Sequence, residues 1–161
     1  MVNKSINELE RYKNHLVDKK NEMIKQINET IFYPESNAIA HINYVTSTLD
    51  IIALLELEID IACLSNCITP KDDANPISIN QAIGMLDAYT KKIELYKNIF
   101  YNLCNKKPDQ FEVIDRNVVN KFGEEINKLK DEYYSLNEKI EKAKNETKIE
   151  IDMGNFIVNM V

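Results

Sequence analysis

The chain has little of what breaks a backbone: 3 Gly and 4 Pro in 161 residues. A sandwich or barrel needs many more turn residues than that, whereas long helices need few, so the scarcity points to an all-α fold. Tryptophan is absent and histidine is limited to His15 and His41. Di-iron bundles place Glu-x-x-His on two helices, and neither histidine stands in that setting. No HExxH, GxSxG, P-loop or GxGxxG is present, so metalloprotease, acyl-transfer and nucleotide-phosphate chemistry lack their usual geometry. Helical enzymes that hydrolyse nucleoside triphosphates carry ExxE and, later, ExxD to hold Mg²⁺. Here the order is reversed, because Glu112–Asp115 precedes Glu138–Glu141. The expectation is no catalytic residues, no metal and no cofactor.

Arginine is nearly missing too: Arg11 and Arg116 stand against 18 lysines. The planar forks suited to phosphate and guanine are therefore scarce, and a net charge of -6 repels nucleic acid and anionic lipid over most of the surface. Lys19-Lys20, Lys91-Lys92 and Lys106-Lys107 remain as local pairs, expected on solvated faces. Cys63, Cys67 and Cys104 are odd in number and no secretory leader is recognisable, so buried thiols and a cytoplasmic setting are expected. The most apolar window, Val45 to Leu64, contains Asp50, Glu56, Glu58 and Asp60, which is too much charge for a membrane span.

What is present in quantity is apolar residue at helical spacing: 44% hydrophobic against 29% charged, close to globular averages. Ser5 and Glu8 form a capping box, followed by the stripe Ile6, Leu9, Leu16, Met23 and Ile27, interrupted by Lys13 and Lys20; this predicts a first helix over 5–31. A second, over 37–66, places Ile42, Val45, Leu49, Ile52, Ile59 and Cys63 on one side and Ile51, Leu54, Leu55, Ile61 and Ala62 on others, and reads as buried on several faces. The alternation from Glu56 to Ile61 fits a strand as well, but the long apolar run without Gly or Pro favours helix. Glu56 lies on the Ile52–Ile59–Cys63 line, at an oligomer edge or paired to a lysine.

Ser78 and Gln81 form a second capping box and start a third helix over 79–103, in which Gly84 lowers helix stability by about 1 kcal/mol relative to Ala and could allow a close backbone contact. The fourth, over 116–147, repeats Val119, Phe122, Ile126, Leu129, Tyr133, Leu136, Ile140, Ala143 and Thr147 at 3-4 spacing. Such a helix is about 48 Å long at ~1.5 Å per residue, more than the roughly 40 Å diameter of a compact chain of this size. Its seam should therefore outrun its own molecule, which predicts an elongated bundle of four long, antiparallel, coiled-coil-like helices that self-associates. Residues 1–148 read as a single helical domain and 149–161 as an apolar tail, including Ile151, Met153, Phe156 and Val158, that docks on the bundle or a neighbour.

From the second helix onward, Ile61 with Ser65-Asn66, then Ile79, Ala82, Asp87 and Ile93, then Leu136, Ile140 and Thr147 resemble the pattern of the septicolysin-like proteins, a family of small helical bacterial proteins. Leu86 stands where that pattern has Arg, and Asn145 where it has its closing Trp. The resemblance implies an all-helical, oligomeric protein without an established activity. The cytolysis that the family's description suggests finds no support here, since neither an export signal nor a membrane span is recognisable.

Two functions follow. The first is a non-enzymatic cytosolic homo-oligomer that serves as a binding or assembly module, without nucleic-acid or membrane partners. The alternative is a protein that sequesters a small anionic, nucleotide-like signal, phage-encoded and counteracting host defence, with sites between subunits near Ser65, Asn66, Asp87 and Lys91. Polar groups at one helix end and on the next helix could line such a cleft. The local reading of the same residues is that Asn66 caps the second helix and Asp87 is solvated or lysine-paired.

Overall fold

A computed structural model describes residues 2–29, 35–69, 75–105 and 116–151. Among them the order is β1 (Val2–Ser5), α1 (Ile6–Glu29), α2 (Glu35–Ser65), α3 (Ile79–Cys104), α4 (Arg116–Glu146) and β2 (Lys148–Ile151). The molecule is an all-helical bundle with one small sheet, and the four helices fall within a few residues of the spans that apolar spacing and capping predict. The chain divides into two compact units, Met1–Cys67 with Ala143–Val161, and Ile68–Lys142.

In the first unit α1 begins where its capping box places it. The Ser5 amide donates to Glu8 Oε2 at 2.8 Å and the Glu8 amide donates to Ser5 Oγ at 3.3 Å, which satisfies two of the donors left free at a helix start. Ile6, Leu9 and Leu16 are fully buried, and α1 packs along α2. Lys13 keeps its stem on this stripe, and its ammonium lies 3.5 Å from Glu56, so Glu56 takes the lysine-paired option. The residues before α1 form β1, which pairs antiparallel with β2, Val2 opposite Ile151 and Ser5 opposite Lys148. Ile149, Glu150 and Ile151, assigned to the apolar tail on sequence, are thus part of a sheet. Residues 152–161 lie outside the described residues.

Residues 56–61 are helical, as the uninterrupted apolar run favours. The distribution of faces on α2 differs from the expected one. Thr48, Ile51, Ile52, Leu55, Ile59, Ala62 and Cys63 are buried, whereas Ile39, Ile42, Leu49, Leu54, Leu57, Ile61 and Leu64 are about half exposed. Ile42 and Leu49 are therefore exposed where Ile59 and Cys63 are buried, and burial on several faces is replaced by one buried face and one open apolar face. The physical reason is that α2 is apolar nearly all round, so periodicity alone does not say which arc turns inward.

The second unit opens with a short bridge, Ile68 N–H donating to Ile77 C=O at 2.9 Å and Ile77 N–H to Thr69 Oγ1 at 3.0 Å. Ser78 then caps α3, accepting from the Gln81 amide at 3.1 Å while Gln81 Oε1 accepts from the Ser78 amide at 2.9 Å. Ile79, Ala82 and Ile93 of α3 are buried, as are Ile126 and Leu129 of α4, and Tyr96 meets Phe122 edge to face at 5.7 Å between ring centres. Gly84 does not mediate a close approach: a methyl group built there meets nothing within 4 Å. The α4 seam is covered to differing degrees. Ile126, Leu129 and Ile140 are buried, and Val119, Phe122, Tyr133, Leu136, Ala143 and Thr147 are half-buried, so no member of the seam is left exposed.

Candidate functional site

Three of the four polar residues singled out for a ligand are engaged locally. Asn66 ends α2 by donating its side-chain amide to the Ala62 carbonyl at 2.9 Å, while its backbone N–H donates to the same oxygen at 3.1 Å. Ser65 is the exposed last residue of the helix. Asp87 and Lys91 are i, i+4 neighbours on an exposed face of α3 and pair with each other, which raises the Lys91 pKa. Ser65 and Asn66 belong to one compact unit and Asp87 and Lys91 to the other.

No group of three His, Cys, Asp or Glu side chains among the described residues could hold a metal ion. Cys63 is buried, Cys67 half-buried and Cys104 exposed, all three as free thiols. Burial pushes the Cys63 pKa up despite the nearby Lys144 charge, which keeps it protonated and a poor nucleophile. Lys144 is itself held by Glu10 at 2.8 Å, in a partly buried ion pair that joins the start of α1 to the end of α4. Glu138 and Glu141 are exposed, and Glu112 and Asp115 lie outside the described residues.

Within the second unit, Thr90, Ile93, Glu94 and Lys97 of α3 and Lys130, Tyr133 and Tyr134 of α4 line an open cleft of about 220 Å³. It is smaller than the roughly 300–1,000 Å³ that encloses cofactor-sized ligands, and Glu94 shares it with the two lysines. None of its residues is among the four that the sequence singled out for a ligand, because the cleft arises where two helices meet rather than within one motif.

The most distinctive surface is instead the outer arc of α2. Ile39, Ile42, Leu49, Leu54, Leu57, Ile61 and Leu64 lie opposite the buried arc and are 47–60% exposed. Thr46 and Ala53, also exposed, complete the row at 3- and 4-residue steps. From Ile39 to Leu64 the row is about 38 Å long at ~1.5 Å per residue. The Asp, Glu, Lys and Arg residues of α2 are all acidic, with Asp50 at its middle and Glu56, Glu58 and Asp60 in its second half. No helix among the described residues is long and apolar enough to cross a membrane. No family model, curated protein or solved structure matches the chain.

Proposed function

We propose that the protein is a non-enzymatic helical module that works by assembling with copies of itself, and that the outer arc of α2 is the surface through which it does so. The observation that carries this reading is the exposed α2 row. Single exposed leucines are ordinary, but seven Ile and Leu side chains aligned on one face form a contiguous patch of the kind that marks an interaction surface. Covering the exposed half of each is worth roughly 1 kcal/mol, half of the ~1.5–3 kcal/mol for burying such a side chain, hence several kcal/mol per copy. A helix that is apolar all round belongs in an interior, and self-assembly would give α2 one.

The alternative occupants are disfavoured by chemistry. The carboxylates along α2 would face a lipid surface with negative charge, and the helix has no Lys or Arg to reach an anionic headgroup. The acidic overall balance likewise opposes nucleic acid. Three free thiols, one of them buried, suit a reducing compartment. Light scattering on the eluting protein, over about 1–100 µM, is expected to give a mass at least twice the 18.7 kDa of one chain. A mass of 18.7 kDa across that range overturns the reading.

A further inference from the structure

The outer arc of α2 reads almost the same in both directions. Counting inward from the ends of the row, Ile39 matches Leu64, Ile42 matches Ile61, Thr46 matches Leu57, Leu49 matches Leu54, and Asp50 matches Ala53. Both apolar ends are of similar exposure, 53% and 54% for Ile39 and Ile42 against 60% and 49% for Leu64 and Ile61. A two-fold axis demands that the same patch serve both partners, residue i meeting j and j meeting i. An antiparallel pair of α2 helices centred between positions 51 and 52 meets that demand along the whole row.

Charge selects the same orientation. The stretch from Ile39 to Leu49 contains no Asp, Glu, Lys or Arg, whereas Asp50 stands just before the centre of the row and Glu56, Glu58 and Asp60 lie in its second half. In a parallel, in-register pair Asp50 would face Asp50 and Asp60 would face Asp60. Like charges placed together across an interface oppose association. In the antiparallel pair Asp60 falls beside Asn43, and Glu56 beside Ser47, so that only Asp50 lies near its own symmetry mate, with the small Ala53 opposite it.

We infer that two copies of this chain pair through α2, antiparallel about a two-fold axis, with Thr46 of each copy against Leu57 of the other. The pairing rests on the assembly proposed above and fixes its geometry. T46C and L57C variants of the full chain are mixed, oxidised, and the disulfides are located by mass spectrometry. The antiparallel register yields the mixed 46–57 disulfide in excess over 46–46 and 57–57. In parallel, L57K and I61K change solvent-facing side chains, retain the helical circular dichroism of the parent, and are expected to lower the mass from that of the oligomer to that of the monomer. Should the parent itself scatter as a monomer, the assembly reading and this geometry both fall. An oligomer that gives 46–46 and 57–57 disulfides, or that is unmoved by L57K and I61K, leaves assembly standing and overturns the antiparallel α2 pair.

Discussion

Glu8 shows how much one side chain at a helix start can carry. Its carboxylate accepts from the Ser5 amide and the Ser5 hydroxyl, and the Lys4 ammonium lies nearby, which together lower its pKa from 4.5 to about 2. A folded-state value below the unfolded one means the ionised carboxylate favours the native state above about pH 4.5, and that contribution is lost as pH falls through the window from 4.5 to 2. E8Q keeps an acceptor but no charge. It should melt below the parent at pH 7 and converge with it by pH 2, as followed by circular dichroism; a gap that stays constant over that range contradicts the assignment. The Ser5–Glu8 and Ser78–Gln81 boxes were legible in the sequence because each is complete within four residues. The Lys13–Glu56 pair was legible only as one of two options, since it joins residues far apart in the chain. Asn66 and Asp87 illustrate the converse: their types suggest ligand contacts, yet a helix end and an i+4 lysine satisfy both locally.

At the scale of elements, the four helices were readable because apolar spacing, capping boxes and the few breakers agree with one another. The two strands were not, because each is four residues long and its partner lies at the other end of the chain, so nothing local marks the pairing. Gly84 is a case in which one half of a reading stands: the cost in helix propensity remains, and the close contact is absent. With open space where a side chain would sit, glycine there only loosens α3, and G84A should stabilise the protein by about 1 kcal/mol through helix propensity. That corresponds to a rise in melting temperature of roughly 2–4 °C for a chain of this size. A lower melting temperature would mean that α3 needs the glycine for a contact the open space does not reveal. Gly123 is the useful comparison, because a methyl group there comes to 4.0 Å from the Phe100 ring, ordinary packing distance, and G123A should behave similarly.

At the scale of the molecule, length suggested that the α4 seam would outrun its own chain, whereas among the described residues the row of exposed Ile and Leu side chains lies on α2. Spacing measures how apolar a face is, but which face remains open depends on what packs against it, and sequence periodicity holds no record of that. The α4 seam is buried or half-buried throughout, while α2, with little contrast between its faces, keeps an equally apolar arc outside. In the proposed antiparallel pair Asp50 is the charge nearest the axis, so the two copies would hold one like-charge contact at the centre of an apolar row. Exposed charge pairs are worth about 0.2–1 kcal/mol, so D50N should tighten self-association by up to roughly fivefold at low salt. In 1 M NaCl the screening length is about 3 Å, and the difference between D50N and the parent should vanish while association of both persists, because covering Leu49, Leu54 and Leu57 does not depend on charge. Sedimentation equilibrium at the two salt concentrations checks this. An unchanged dissociation constant for D50N at low salt would remove Asp50 from the axis and shift the register with it.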